Sequence, residues 1–576
     1  MAIETFQHRK SFLINAALFD IIKLTKGEVA DMSLYYTNKP IEKIEPKIAE
    51  HPSNERVNVL RGVPIHAIEE KTFFANKGEK PKKNYDTDST LLTDGEYSPD
   101  RHYPNKEWFH LHGGGGRVIT FKLPHLCAID GFLLSTCRDD VVAVRSPRYI
   151  KLRASADGEV FETVYENNDT RTDRDLRIIK FEGSFDKVKA VYVQLVVDAI
   201  HHVYIDEFEL FGCTDVSGAR SPIGDDKPIF NEFPSPIEVN AFPPDDVMGA
   251  NNITLTYNYR PIDENKGLQT EEKYLPMVAY LDRDGNIVDT FMDGFLYLPD
   301  VSFDFSPRGQ HAEGWQDYID SVFVEGKNVS ALNSVAKKVG TALGEPDYKV
   351  KVFFTILYTF TGYDDFGYVN GEHLVFDNPE SRKKAIKWMI DSMISRYEAG
   401  GYTNTELKGF YWFEESLNPT DRYEGELIKF ACDYVQSMGY KCFWIPYFRA
   451  LGYETWQRYG FDIACMQPNY MFDHSIPKQR LYDTAAEARR MGMCVELEVW
   501  KIYEGENGEL DAESEENVKR FIEYLEVGKE TGYMHTSKMY YHGSAPGSVI
   551  TNGWRSKNPK YREMYDKTYL FAKKKL

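Results

Sequence analysis

GFYWFEES, residues 409 to 416, sets the reading of the whole chain: four aromatic side chains in a row run directly into two adjacent carboxylates, Glu414 and Glu415. A run so apolar belongs in a sheet covered on both faces, and a buried strand does not end in paired carboxylates unless something there uses them. The surroundings extend the pattern. From Asn251 onward apolar runs alternate with helical segments, which is the mark of a parallel sheet. The strand candidates are NITLTYNY, MDGFLYLP, KVFFTILY, KGFYWFEE, KCFWIPYF, DIACMQPNY, CVELEVW and YMHTSKMYYHG. Between them, Ile386, Met389, Ile390, Met393, Ile394 and Tyr397 recur at helical spacing and predict a helix over 381–398. The stretch AYLDRDGNIVD predicts a hairpin inserted between the first two strands. The expected fold of residues 251–576 is therefore a (β/α)8 TIM barrel, with GFYWFEES as its fourth strand.

In such a barrel the chemistry lies at the carboxyl ends of the strands. The seventh strand, CVELEVW, alternates: Glu496 and Glu498 share one face, Val495, Leu497 and Val499 the other. An aliphatic face packs on helices, so both glutamates are expected to point into the barrel, across the mouth from Glu414 and Glu415. Hydrolysis of a glycosidic bond needs this arrangement, one carboxyl to protonate the leaving oxygen and another to attack the anomeric carbon or activate water. Trp412, Trp444, Tyr447, Tyr470, Trp500 and Tyr541 lie on or just past strand ends, where flat faces can stack on sugars, and Gln467 and Asn469 can orient hydroxyls. The structural alternatives are an ion pair of Glu496 with Lys501 or Arg449, a cap or solvated role for Glu415, and aromatics that only fill the core.

The rest of the chain is of a different texture. Residues 86–213 carry short β-rich runs, RVITFKLP, IDGFLLST, RYIKLRASADG, LRIIKF, KAVYVQLVVD and HVYIDEFELFG, with no amphipathic helix between them, and predict an antiparallel β-sandwich. Residues 214–250, rich in proline, predict an extended linker, and residues 1–85 carry mixed signals that assign no fold. The chain of 576 residues is thus multidomain, with a formal net charge of −20 that disfavours nucleic acid and anionic membranes as partners. The lysines at 77, 80, 82 and 83 and at 573 to 575 read as solvated surface. Seven cysteines are odd in number, lack CxxC spacing, and fall partly in apolar runs, so they are expected to be free thiols. With no cleavable leader visible, a cytoplasmic location is the default, and a secreted one follows if a leader has been removed. No metal-ligand spacing, nucleotide fingerprint, HExxH or Ser-His-Asp set is present, so no cofactor is implied. HLHGGGGR at 110 to 117 lacks the Lys-Ser/Thr and the helix of a phosphate loop, and His110 with His112 lacks a third ligand; His201 and His202 read as loop.

From Asn251 to His542, the order GFYWFEE, WIPYF, MQPNY, VELEVW and GYMHTSKMYYHG resembles the domain of unknown function 4855 family, which looks like a glycosidase-type barrel. Its glutamates on strands four and seven are similar to those of the large clan of retaining glycosidases. That likeness implies an acid/base on strand four and a nucleophile on strand seven, with Glu498, nearer the strand end, in the nucleophile's role and Glu496 as its neighbour. The clan usually has Asn-Glu where this chain has Glu414-Glu415. The 86–213 segment is similar to discoidin-like, family-32-type carbohydrate-binding modules (a discoidin-like jelly roll) through LTDG at 92 to 95, SADG at 155 to 158 and IDEFELFG at 205 to 212. The implied activity is a glycoside hydrolase acting on an oligo- or polysaccharide. The alternatives are a non-catalytic carbohydrate-binding protein with a degenerate barrel, and a polysaccharide lyase.

Overall fold

The computed structural model describes residues 34–36, 39–72, 89–98, 108–111, 115–139, 144–173, 178–199, 202–259, 268–300, 303, 306, 308–361, 365–543 and 548–576. They group into two compact units, one of the described residues up to Phe233 together with Asn418–Arg422, the other of Pro234–Leu417 and Tyr423–Leu576. The lysines at 77 to 83, His112 with the two glycines after it, and His201 lie outside the described residues.

The first unit is one antiparallel sheet of β1 (Leu34–Tyr36), β2 (Val57–Asn58), β3 (Ile65–Thr72), β4 (Phe109–Leu111), β5 (Gly115–Cys137), β6 (Ile150–Ser155), β7 (Glu162–Asn167), β8 (Ile178–Ala199) and β9 (Val203–Cys213). The long strands β5 and β8 pair along their whole lengths, with register shifts between Lys122 and Cys127 and between Ile129 and Gly131. Bulges of this kind bend a strand. As a result, Ile119 and Phe121 from the first half of β5 share one core with Ile129, Phe132 and Leu134 from the second half, joined there by Leu152, Leu195, Phe208 and Leu210. The glycines 115 and 116 open β5 and are not part of a phosphate-binding turn. A side chain at Gly116 would collide with the ring of Phe230, which packs with Val118, Tyr149 and Val196.

The proline-rich stretch 214–250 carries no helix and no strand. Its first part belongs to the first unit, where Lys151 Nζ donates to the Pro228 carbonyl at 2.9 Å. Its second part belongs to the second unit, where the Ile237 and Val239 N–H groups donate to the carbonyls of Glu454 (2.9 Å) and Arg490 (2.7 Å).

The second unit is built on a closed, parallel, eight-stranded barrel. In order around it stand β10 (Asn252–Tyr259), β13 (Gly294–Pro299), β14 (Val350–Ile356), β17 (Thr405–Trp412), β18 (Lys441–Trp444), β19 (Ile463–Met466), β20 (Cys494–Glu498) and β21 (Lys538–Tyr541). All eight expected strands are present, with β17 fourth and β20 seventh. Two antiparallel hairpins interrupt the series, β11 (Ala279–Leu281) with β12 (Ile287–Thr290) at the place predicted, and β15 (Gly367–Val369) with β16 (Glu372–Leu374).

The connecting helices are α1 (Glu271–Val278), α2 (Ala312–Val322), α3 (Asn328–Leu343), α4 (Pro379–Ala399), α5 (Glu424–Ser437), α6 (Gln479–Met491) and α7 (Ala512–Thr531), followed after β21 by α8 (Val549–Asn552) and α9 (Pro559–Ala572). The helical layer is uneven: β18 and β19 are joined by a 3-10 stretch, Tyr453–Tyr459, where a regular barrel would have an α-helix. Helix α4 shows how local sequence sets an element. Asn378 accepts the Glu380 N–H as its cap, Pro379 supplies a helical φ at the first position, and Ile386, Met389, Ile390 and Met393 are buried along one stripe. The barrel interior is filled by rings that meet across strands. Phe353 of β14 touches Phe443 of β18 at 5.6 Å although β17 stands between them, and Tyr411 stacks on the same Phe443 at 5.5 Å.

Candidate active site

The pairing register places the carboxylates. Met466 is opposite Val495, so Gln467 is level with Glu496; Tyr447 pairs with Gln467; and Glu415, just past the last paired residue of β17, is hydrogen-bonded by the Gln467 side chain. Glu415, Tyr447, Gln467 and Glu496 therefore form one ring at the carboxyl ends of strands four to seven. Glu498 lies two residues further along β20, opposite Tyr541.

The electrostatics agree with that ring. Glu496 is 2% exposed and its carboxyl is pushed well above the ordinary range, first by burial and then by the negative charges of Glu498 and Glu415. No cation is among the groups that act on Glu496. Lys501 lies over the Trp500 ring (5.3 Å) and Arg449 over that of Phe448 (5.1 Å), so the ion pair considered for Glu496 is not formed. Burial pushes Glu415 up to about 7, against the lowering effect of a hydrogen bond from Gln467. The same Gln467 side chain also donates to the Ile445 carbonyl at 2.8 Å, which fixes its amide. Glu498, fully buried, is raised to about 8 by burial; the Tyr524 hydroxyl and the peptide groups of Tyr470 and Asn469 pull the other way. The Tyr524 hydroxyl, from α7, donates to Glu498 Oε2 at 2.5 Å. Two oxygens, Oε1 of Glu496 and Oε1 of Glu498, are buried without a hydrogen-bond partner.

An aromatic wall adjoins these groups. Trp500 and Tyr541 are parallel within 7° at 6.3 Å, and Phe472 meets both edge-on, at 5.7 and 5.6 Å. All three are partly exposed. Tyr257 stands perpendicular to Tyr541 at 6.0 Å and lies in the field of Glu415 and Glu496. Asp300, at the end of β13, lies with the three glutamates in the field that acts on Tyr541. Phe472, Tyr257, Tyr411 and Asp300 were missed in the sequence. The alternation Ile253, Leu255, Tyr257 along NITLTYNY puts the tyrosine on one face with aliphatic neighbours, a face that the rule used for CVELEVW sends to the helices, so the sequence pointed away from it.

Five expected site residues are placed otherwise. Trp412 and Trp444 are buried, at 1% and 0% exposure, and belong to the packing around the barrel wall. Trp412 meets Tyr358 edge-on at 5.8 Å, and Trp444 stacks on Phe461 at 5.6 Å with its indole N–H given to the Glu414 carbonyl. Neither has a face left for a sugar. Tyr470 turns to α7, where its hydroxyl donates to Glu523 Oε2 at 2.5 Å and Arg520 covers its ring at 3.5 Å. Asn469 acts through its backbone, held at φ 51 with its peptide group facing Glu498. Glu414 immediately precedes the ring, but the charges acting on Glu496 are those of Glu415 and Glu498.

Among the described residues no cluster of His, Cys, Asp and Glu has the geometry to hold a metal ion, and no helix is long and apolar enough to cross a membrane. All seven cysteines are unbridged and buried.

Residues 252–570 match the model of the domain of unknown function DUF4855. The chain belongs to that family. None of the curated proteins matches it. Solved structures with some likeness include CpGH89CBM32-5 of Clostridium perfringens, in complex with GalNAc-β-1,3-galactose (17% identity, 25% of this chain and 94% of that one, TM-score 0.17). A putative α-L-fucosidase of Bacteroides thetaiotaomicron shares 19% identity over 28% of this chain and 29% of its own, with a TM-score of 0.19. The CBM22-1–GH10 modules of Clostridium thermocellum endo-1,4-β-D-xylanase 10B, with xylohexaose, share 8% identity over 81% of this chain and 93% of theirs, with a TM-score of 0.29. Likenesses this slight carry no weight for the chemistry, which rests on the site itself.

Proposed function

We propose that this protein is a retaining glycoside hydrolase on a (β/α)8 barrel, acting on an oligo- or polysaccharide, with Glu415 as acid/base and Glu496 as nucleophile. One observation carries the reading: a strand-four and a strand-seven glutamate face each other in a closed barrel with no cation between them, Glu415 raised by its burial and Glu496 by burial and by the charge of Glu415. Such a pair holds one proton between two groups at neutral pH, the state that two-carboxylate hydrolysis needs. Glu496 attacks the anomeric carbon as the glycosidic C–O bond breaks, and the leaving oxygen takes the proton of Glu415. Glu415 then accepts a proton from a water that displaces Glu496 from the sugar. Gln467 holds Glu415 in place through both steps.

Glu496 is preferred to Glu498 as nucleophile because Glu498 is tied to α7 through Tyr524 and lies beyond the ring that contains Glu415. A degenerate, purely binding barrel would be favoured by salt-bridged strand-seven glutamates, and Glu496 has no cationic partner. Phe472, Trp500 and Tyr541 are the surfaces for sugar stacking. We assign the first unit to a discoidin-like module. The test is a screen of aryl glycosides and oligosaccharides, with the anomer of the first-formed product read by NMR. Retention of configuration is expected, and inversion, or no turnover on any glycoside, refutes the assignment.

A further inference from the structure

Hydrolysis by two carboxylates leaves the third, Glu498, without a task, and two facts about it need explaining. Glu496 and Glu498 occupy the same face of β20, two residues apart, where neighbouring side chains can touch. Each presents a buried Oε1 with no hydrogen-bond partner, whereas Oε2 of Glu498 is occupied by the Tyr524 hydroxyl. Orphaned buried oxygens on two adjacent carboxylates are costly, and one proton shared between them satisfies both. A carboxyl whose Oε2 already accepts an O–H bond carries its own proton on Oε1. The geometry points to Glu498 as a neutral carboxylic acid that donates from Oε1 to Glu496, with Tyr524 as the positioning residue that fixes which oxygen bears the proton.

This inference rests on Glu496 as the nucleophile of the proposed function and extends it, giving the third glutamate the role of a donor that steadies the ionised nucleophile. The groups facing Glu498 come from every side. Glu415 and Glu496 oppose its charge, and the neutral Tyr541 hydroxyl lies in its field. Cys465 of β19 also lies in its field. Arg480 of α6, Tyr524 of α7 and the peptide groups of Asn469 and Tyr470 favour its charge from the other side. Burial with like charges prevails, which keeps the proton to about pH 8. Nη1 of Arg480 donates to the Pro468 carbonyl at 3.0 Å and the guanidinium lies over the Phe448 ring, while its Nη2 is buried without a hydrogen-bond partner.

The test uses the full chain and needs no substrate: infrared difference spectra across a pH titration, reading the C=O stretch of protonated carboxyl groups. Glu415 and Glu207, raised by burial to about 7 and about 8, also absorb there, so the reading is the wild-type-minus-Glu498→Gln difference, which is expected to show a buried carboxylic acid at pH 7 that ionises near pH 8. In Tyr524→Phe the same band should change frequency and its titration should move up by roughly one pH unit, because a donor to the carboxylate is lost. A purely structural tyrosine would leave frequency and midpoint unmoved. A wild-type-minus-Glu498→Gln difference without the band, or an unshifted Tyr524→Phe titration, each overturns the proposal. A protein that shows the band with these shifts and yet cleaves no glycoside upholds the proton placement and sinks the hydrolase reading alone.

Discussion

At the residue scale the two proposed catalytic groups separate by how their loss depends on the leaving group. Glu496→Gln removes the nucleophile and should abolish turnover on every substrate, with circular dichroism unchanged. Glu415→Gln removes an acid worth about 10²- to 10⁴-fold. Its loss should be large on a natural oligosaccharide and smaller in the first step on an aryl glycoside whose leaving group needs no proton. Azide added to the Glu415 variant should give a glycosyl azide of retained configuration; if Glu414→Gln shows this behaviour and Glu415→Gln does not, the acid has been assigned to the wrong neighbour.

The pH profile belongs to the same scale. Glu415 must be protonated to act and holds its proton to about pH 7, so kcat/KM should fall on the basic side from about that pH. Protonation of Glu496 sets the acid limb, and because burial and like charge raise that group too, the limb is displaced upward and the optimum is narrow. A profile flat from mild acid to mild base would remove the carboxylate pair from consideration.

At the element scale, the fold was legible because strand and helix periodicities differ and the barrel repeats their alternation. Eight apolar runs became eight paired strands, and the Val495, Leu497, Val499 face set Glu496 and Glu498 apart from it. The same alternation, applied along GFYWF, separates Tyr411, which meets the interior Phe443, from Phe410 and Trp412 on the opposite face. Choosing aromatics by nearness to a strand end lost that distinction, and so misplaced Trp412 and Trp444. Tyr524 was beyond sequence reading, since nothing in a helix 26 residues away says that its hydroxyl meets Glu498.

Two tryptophan variants separate a packing role from a substrate role. Trp444→Ala should lower unfolding stability by about 3–5 kcal/mol and leave KM of the folded enzyme near the wild-type value. Trp500→Ala should raise KM with little change in the urea midpoint, because its ring is partly exposed beside Tyr541. The reverse pattern in both would show that the two rings have been given each other's roles.

At the scale of the whole molecule, the raised carboxyls make the barrel's stability depend on pH in an uncommon direction. In the unfolded chain Glu415, Glu496 and Glu498 ionise near their ordinary value of about 4.3. In the folded chain Glu415 keeps its proton to about 7 and Glu498 to about 8, with Glu496 raised as well. Between those limits the folded state binds more protons, so stability falls as pH rises. Two other buried groups fix where this can be seen. His542, lowered to about 4 by burial, opposes the trend below the ordinary histidine value, and Lys538, lowered to about 8, opposes it at higher pH. The window of pH 6.5 to 8 is left to the carboxyls. Of the eight tryptophans only Trp108 belongs to the first unit, so tryptophan fluorescence follows the unfolding of the barrel. The urea midpoint by fluorescence should therefore drop steadily from pH 6.5 to 8 in the wild type and, in a Glu496→Gln, Glu498→Gln double variant that keeps Glu415, level off above about pH 7. A midpoint that is flat or rises over this window in the wild type would mean that the barrel does not hold these protons, and the acid that hydrolysis requires would then be missing at neutral pH.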